Sequence, residues 1–115
     1  EDLAEKPAGM LPFGQQRLVE LARALISKPR LLLLDEPFSG LNHYEGDILE
    51  EKVLEIRRQG VAVLFVEHEM KRVMKLADKI TVLNFGQKIA EGSPDKIRND
   101  PQVIEVYLGK ETEVG

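Results

Sequence analysis

The sequence contains no cysteine, no tryptophan and no long apolar run. Without cysteine, a disulfide framework and a thiolate metal site are excluded, which fits a cytoplasmic protein. The longest apolar stretch, residues 61–66, is too short for a membrane-spanning helix, which needs about 20 residues. Basic residues number 16 and acidic residues 20, with no basic block, so non-specific binding to nucleic acid or an anionic membrane is disfavoured.

The start of the sequence does not suggest a signal peptide, because Glu1-Asp2-Leu3 opens neither a basic nor an apolar region. The sequence does not begin with Met, and we therefore expect it to be a piece of a longer protein. Its 115 residues, 43% hydrophobic and 31% charged, are typical of one small globular domain.

The apolar pattern predicts an α/β chain with parallel strands. Residues 31–34 are four leucines without alternation, which is typical of a strand covered on both faces. Residues 61–66 form a second strand of this kind, and residues 45–59 form a polar helix between the two. Such a strand–helix–strand unit predicts parallel pairing with a right-handed crossover.

Other segments predict shorter elements around this unit. They are a helix at 15–28 after a loop, a short helix from Met70, a hairpin of 79–84 and 87–90 around Phe85-Gly86, a helix at 94–99 capped by Ser93, and a last short helix carrying Val103, Ile104 and Tyr107. Pro12 and Gly14 are interpreted as helix breakers in the loop before the first of these helices.

Two adjacent carboxylates, Asp35 and Glu36, follow the first predicted strand. Open α/β sheets bind ligands at the carboxyl edge of their parallel strands, where these acids are expected. One acid can hold Mg²⁺ or its water shell, while the other orients or deprotonates an attacking water. The alternative is a strand end with two solvated acids, which the four preceding leucines disfavour.

The segment LPFGQQ, residues 11–16, leads into the predicted helix at 15–28. A glycine-bearing turn at a helix N-terminus offers free backbone N–H groups and the positive end of the helix dipole, and so a phosphate site. The alternative is a plain helix start in which Gly14 only turns the chain, and the segment alone favours that alternative.

Two further segments follow the strands at the same edge. His68 comes after the second strand, where an imidazole can hydrogen-bond a phosphate oxygen or a water, although a lone histidine is more often a capping or partly buried group. Residues 39–42, SGLN, follow the acids and suit either close approach to another backbone or a simple turn. His43 and His68 fit no zinc spacing.

Taken together and in this order, these segments resemble the second half of an ATP-binding-cassette (ABC) ATPase. LPFGQ is similar to that family's signature loop, LLLLDE to its Walker B strand, SGLN to its D-loop and His68 to its switch histidine. Asp35 follows Gln15 by 20 residues, as in the family pattern. The resemblance covers residues 10–109, and LPFGQQ, VEHEM and LNFGQKIAEG are most similar to the branched-chain amino acid importer subgroup.

The resemblance implies an α/β, partial P-loop NTPase fold with parallel strands, flanking helices and no P-loop half. It implies that Glu36 polarises the hydrolytic water, that His68 contacts the γ-phosphate, and that Asp35 supports Mg²⁺ through water. The residues implied to face ATP bound by a second subunit, or to run along the dimer seam, are Pro12, Phe13, Gly14, Gln15, Ser39, Gly40, Leu41 and Asn42.

The sequence departs from the family pattern at three of these positions. Pro12 stands in place of the usual serine and has neither a hydroxyl nor an N–H, so it cannot donate to phosphate. Phe13 replaces a glycine, which leaves Gly14 as the expected phosphate neighbour. Asn42 stands where most of the family has aspartate.

A P-loop, G-x-x-x-x-G-K-[ST], is missing from the sequence, because its only Gly-Lys pair, Gly109-Lys110, is followed by Glu111. The family's nucleotide-stacking aromatic and Q-loop glutamine also have no candidate. We therefore expect the C-terminal half of a nucleotide-binding domain. Residues 1–30 would be the end of its helical subdomain, and residues 31–115 the C-terminal part of its ATPase core.

The resemblance predicts a subunit that binds ATP with Mg²⁺ at a head-to-tail dimer interface and hydrolyses it to drive solute import, with amino acids as the expected cargo. The implied partners are a second ATPase subunit and transmembrane permease subunits, without nucleic acid, at the cytoplasmic inner face of the cell membrane. This chain alone is expected to be inactive. The alternative is a non-enzymatic interaction module that keeps an ABC-like half-fold, which the joint presence of Asp35, Glu36 and His68 disfavours.

Overall fold

The computed structural model describes residues 10–108, which form two compact units divided between Glu67 and His68. The first unit contains α1 (Pro12–Leu25), β1 (Leu31–Asp35), α2 (His43–Arg58) and β2 (Ala62–Val66). None of the helices described is long and apolar enough to cross a membrane. The predicted boundary after residue 30, between a helical subdomain and an ATPase core, stays a prediction.

The two strands of the first unit confirm the predicted parallel pairing. β1 and β2 lie in register from Leu31 opposite Ala62 to Asp35 opposite Val66, and α2 connects them. The buried apolar side chains of this unit are Met10, Leu21, Leu32, Phe38, Leu49, Val53 and Ile56. These side chains place the core of the unit on one face of the strand pair.

The apolar runs of β1 and β2 predict cover on both faces of a complete sheet, but residues 10–108 cover only one of these faces. Leu32 is buried, but its neighbour Leu33 is 65% exposed. Leu31, Leu64 and Val66 are each more than half exposed as well. Since alternate side chains of a strand point to opposite faces, one face of the sheet lacks cover from any described residue.

Helix α1 begins at Pro12, three residues before the predicted start at Gln15. Proline at the first helical position is favourable, because its missing N–H would have no partner there and its φ already suits a helix. Treating Pro12 only as a helix breaker was therefore wrong, and Gly14 lies in the first turn of α1 rather than in a loop. The helix ends at Leu25, and Lys28 adopts φ 54° in the following turn.

The second unit contains α3 (Met70–Leu76), β3 (Ile80–Asn84), β4 (Gln87–Gly92), α4 (Pro94–Arg98), α5 (Pro101–Val103) and a π-helical turn (Ile104–Leu108). β3 and β4 pair antiparallel, which confirms the predicted hairpin. Its two turn residues, Phe85 and Gly86, both have positive φ, as a two-residue hairpin turn of type I′ requires. The Ser93 side chain accepts from the Lys96 N–H and caps α4 as predicted.

Buried apolar side chains from several elements stabilise the second unit. Ile97 of α4 and Val103 of α5 are completely buried, and Ile80 and Val82 of β3 are nearly so. The Tyr107 hydroxyl donates to the carbonyl of Leu83 at 2.5 Å, where the hairpin register shifts. This bond connects the C-terminal turn to β3.

An ion-pair triad on the hairpin gives this unit a pH dependence. Glu91 lies 2.7 Å from Lys79 and 2.7 Å from Lys88. Hydrogen bonds and attraction from Lys79, then from Lys88, lower the pKa of Glu91 to about 2, and the Glu91 carboxylate raises the pKa of Lys79. Because the folded-state pKa is depressed, the stabilisation is complete above the ordinary carboxylate pKa of 4.5 and is lost as pH falls towards 2.

We therefore expect Glu91→Gln to lower the urea midpoint of unfolding most near neutral pH, and progressively less below about pH 4.5. Urea unfolding of wild type and variant, followed by circular dichroism at about pH 6 and about pH 3, measures this difference. Glu105→Gln, an exposed acid in the same unit, is the matched control. If the urea midpoints of wild type and Glu91→Gln differ by the same amount at both pH values, the ion pairs of Glu91 do not cause the pH dependence.

Candidate functional site

The two predicted acids lie where β1 ends. Asp35 is the last residue of the strand, Glu36 begins the turn that follows, and both are exposed. The Glu36 N–H donates to the carbonyl of Val66 at 2.7 Å, which extends the parallel pairing by one bond. Glu36 has φ 47°, in the left-handed region that is costly for a residue with a Cβ. The chain therefore leaves the strand conformation directly after Asp35.

Arg17 of α1 holds the turn that contains Glu36. Its guanidinium donates to the carbonyl oxygens of Glu36 at 3.3 Å and Ser39 at 3.0 Å, and also to that of Pro37. The same group lies 4.9 Å from the centre of the Phe13 ring, a favourable cation–π distance. A planar guanidinium can serve several carbonyl groups at once, and it fixes the turn relative to the start of α1.

Phe13 also contacts the loop that follows the acids. Gly40 has φ 80°, and a Cβ built on it would lie 2.7 Å from Cε2 of Phe13. A side chain at this position would be strained by the backbone and would collide with the ring. Glycine is therefore required for the loop to lie this close to Phe13.

A buried carboxylate on α2 forms a second connection between the same segments. Asn42 caps α2 by accepting the Glu45 N–H at 2.8 Å, and Glu45 Oε1 accepts the Asn42 N–H at 3.0 Å. The other oxygen, Oε2, accepts the Leu11 N–H at 2.7 Å. A Cβ on Gly14 would lie 2.7 Å from this oxygen, so glycine is what allows the carboxylate to reach the start of α1.

The structure thus brings LPFGQ together with SGLN. Pro12 and Phe13 are exposed, Gly14 is buried, and the Gln15 side-chain amide donates to the carbonyl of Met10 at 3.0 Å. In the SGLN loop, which Phe13 and Glu45 contact, Ser39, Gly40 and Asn42 are exposed. The assignment of these residues to nucleotide binding stays a prediction.

His68 belongs to the second unit of the chain. It is exposed and is the first residue of the second unit, whereas Glu36 belongs to the first. The contact of His68 with a γ-phosphate, which the family resemblance implies, stays a prediction. Its neighbour Glu67 does contribute to the first unit, because Glu67 Oε2 accepts the N–H of Phe38 at 3.2 Å.

Two residues of this site, Arg17 and Glu45, were not identified from the sequence. Asn42 and Glu45 have the spacing of a capping box, which could have identified Glu45 as a structural acid. The bond to Leu11, 34 residues away, has no sequence signal.

The carboxylates at the end of β1 suit a metal ion whose other ligands are water and the phosphate oxygens of a substrate. Within residues 10–108, no three histidine or acidic side chains lie together in a way that could hold a metal ion. Asp35 offers one exposed carboxylate at the strand end. Mg²⁺ usually keeps several waters and shares the phosphate oxygens of its substrate, so one protein carboxylate is sufficient.

Family models match the sequence near both of its ends. A family model described as "ABC transporter" matches residues 1–39, and one described as "Branched-chain amino acid ATP-binding cassette transporter" matches residues 87–113. The chain is 46% identical to the high-affinity branched-chain amino acid transport ATP-binding protein BraF of Pseudomonas aeruginosa over 110 residues, 95% of this chain and 43% of that protein. It is 44% identical to the corresponding protein LivG of Escherichia coli over 108 residues, 93% of this chain and 42% of that protein.

The fold of the chain is similar to that of solved proteins from ABC transporters. The ADP conformation of MJ1267, an ATP-binding cassette of an ABC transporter, superimposes with a TM-score of 0.75 at 36% identity, over 89% of this chain and 42% of that one. The cbiO1 protein of Clostridium perfringens, part of the ABC transporter complex cbiONQ, gives 0.72 at 29% identity, over 87% and 40%. The chain therefore spans about two fifths of the length of these relatives.

The contact between Phe13 and Gly40 leads to a stability prediction. We expect Gly40→Ala to lower the free energy of unfolding by about 2–3 kcal/mol, because alanine is strained at positive φ and also displaces the Phe13 ring. Gly60→Ala is the matched control, since Gly60 has φ 95° but nothing within 4 Å of its Cβ position. It should cost only about 1 kcal/mol. Equal losses in urea unfolding of the two variants would contradict the close contact.

Proposed function

Because this chain belongs to the family of ABC transporter ATP-binding proteins, we propose that it is the C-terminal part of an ATPase subunit. The complete subunit binds and hydrolyses ATP at a head-to-tail dimer interface and drives the import of branched-chain amino acids. The observation that carries the proposal is the joining of the acid-bearing turn, the LPFGQ segment and the SGLN loop by Arg17, Phe13 and Glu45.

The acids at the end of β1 have separate roles in this proposal. Asp35 would hold Mg²⁺ through a water, and the ion would supply positive charge that neutralises the phosphates of ATP. Glu36 accepts a hydrogen bond from the attacking water and orients it as a general base. Glu36 has a left-handed backbone conformation, and its carbonyl oxygen accepts a hydrogen bond from Arg17. These two features fix the position of the Glu36 Cα, from which the side chain extends. His68 is assigned the contact to the γ-phosphate.

The joined segments face a second subunit. Gly14 and Gln15, at the start of α1, approach the γ-phosphate of ATP held by that subunit, and the loop of Ser39, Gly40 and Asn42 follows the dimer seam. The exposure of Pro12, Phe13 and this loop supports such a contact. Transmembrane permease subunits are the further partners, so the subunit works at the cytoplasmic face of the membrane.

The role of Glu36 can be tested in the complete subunit. We expect Glu36→Gln to keep ATP affinity and to reduce kcat by roughly a thousandfold or more, because glutamine fits the same space but cannot accept the proton of water. Nucleotide binding and phosphate release measure the two quantities. Glu55→Gln, a half-exposed acid on α2 paired with Lys52 at 3.9 Å, is the control. Unchanged hydrolysis by Glu36→Gln would remove Glu36 from the catalytic role.

Whether this chain binds ATP without the rest of the subunit can be tested directly. The sequence has no P-loop, so most of the grip on phosphate must lie in the part of the relatives that this chain does not span. We expect calorimetry to detect no ATP binding to residues 1–115 at concentrations that saturate the complete subunit. Binding of micromolar strength or tighter would contradict this division and would favour a self-sufficient module.

A further inference from the structure

Glu45 is the most deeply buried charged side chain described in the chain, at 1% exposure. A carboxylate is costly to bury unless its oxygens accept hydrogen bonds. Among the described residues, no buried side-chain nitrogen or oxygen lacks such a partner. The contacts of Glu45 therefore explain how it can be buried, and they also indicate what it does.

An ordinary capping box accounts for only half of these contacts. In such a box the acid of the third helical position returns to the backbone N–H of the cap residue, as Oε1 of Glu45 does to Asn42 at 3.0 Å. Oε2 instead accepts the N–H of Leu11 at 2.7 Å, in a segment 34 residues earlier. One carboxylate is thus shared between the LPFGQ segment and the SGLN loop.

The start of α1 depends on this shared acid. Leu11 is the N-cap residue of α1, and its apolar side chain makes no capping hydrogen bond. From α2, the Glu45 carboxylate accepts the N–H of this cap residue, as the acid at the third helical position of a capping box does within its own helix. It also places negative charge next to the positive ends of both helices. Gly14 leaves the space that this approach needs, since a Cβ there would lie 2.7 Å from Oε2.

We infer that Glu45 is a positioning residue, whose carboxylate holds the LPFGQ segment and the SGLN loop in one fixed arrangement so that both meet the partner subunit and its nucleotide together. The inference rests on the proposed function for its effect on catalysis. The structural part, the coupling of residues 10–14 to residues 39–42, can be measured separately.

The first test is Glu45→Gln in the complete subunit. Glutamine has the same shape, but it replaces one acceptor oxygen with an NH₂ group that would face a backbone N–H. Glu51→Gln on the same helix is the matched control, because Glu51 is exposed and pairs with Arg58 at 3.3 Å. Hydrogen exchange, ATP affinity and kcat are measured for both variants.

We expect Glu45→Gln to accelerate amide exchange in the peptides covering 10–16 and 38–44 by roughly tenfold, with peptides of the β3–β4 hairpin unchanged. ATP affinity should stay within about twofold and kcat should fall by roughly tenfold, since the phosphate cradle lies elsewhere. A merely structural role would accelerate exchange throughout, or would lower all activities in proportion to the folded fraction. Either of those results overturns the inference. It is also overturned if the wild type hydrolyses ATP and Glu45→Gln has the same kcat.

A second variant keeps the test valid if Glu45→Gln does not fold. Leu11 has φ −73° and ψ 159°, which proline also adopts, so Leu11→Pro removes the N–H donor and little else of the backbone geometry. Leu11→Ala, which keeps the N–H, is its reference. We expect Leu11→Pro to have a kcat roughly tenfold below that of Leu11→Ala.

Equal rates for these two variants, in a subunit that hydrolyses ATP, overturn the role of the Leu11 bond. A wild type without ATPase activity overturns the proposed function instead. In that case the exchange measurement still decides whether Glu45 couples the two segments.

Discussion

A single buried carboxylate determines how the two segments most concerned with the candidate site meet. Glu45 cannot remain buried unless its oxygens are satisfied, and the N–H groups of Leu11 and Asn42 satisfy them. Because each N–H belongs to the main chain, the carboxylate fixes backbone positions rather than side-chain rotamers. The path of LPFGQ and the path of SGLN therefore follow from the position of α2, on which Glu45 lies.

The remainder of the site is also held through its backbone. Arg17 binds three carbonyl groups of the turn after β1, and Gly40 lies against the Phe13 ring. The side chains of Asp35, Glu36 and Ser39 are exposed at this surface. These exposed side chains are therefore carried by segments whose main chain is fixed by other contacts. Under the proposed function, this is the preorganisation that positioning and catalysis require.

The sequence was sufficient for the order of the elements, the parallel pairing of β1 with β2, the hairpin around Phe85-Gly86 and the cap at Ser93. These features have local causes, such as an apolar run, a turn dipeptide or an N-cap. The start of α1 was missed because Pro12 was judged as a breaker, although proline favours the first helical position. The bond from Glu45 to Leu11 could not be predicted, since it depends on which distant parts of the chain meet.

The capping box of α2 has a further consequence for where the chain can change in length. Asn42 and Glu45 are separated by three positions, and one residue inserted between them would rotate the acid by about 100° around the helix axis. Both hydrogen-bonded amides would then lose their acceptor together. Length variation among natural variants should therefore be absent from this interval and tolerated instead at the Gln59-Gly60 turn, where the space around Gly60 is open.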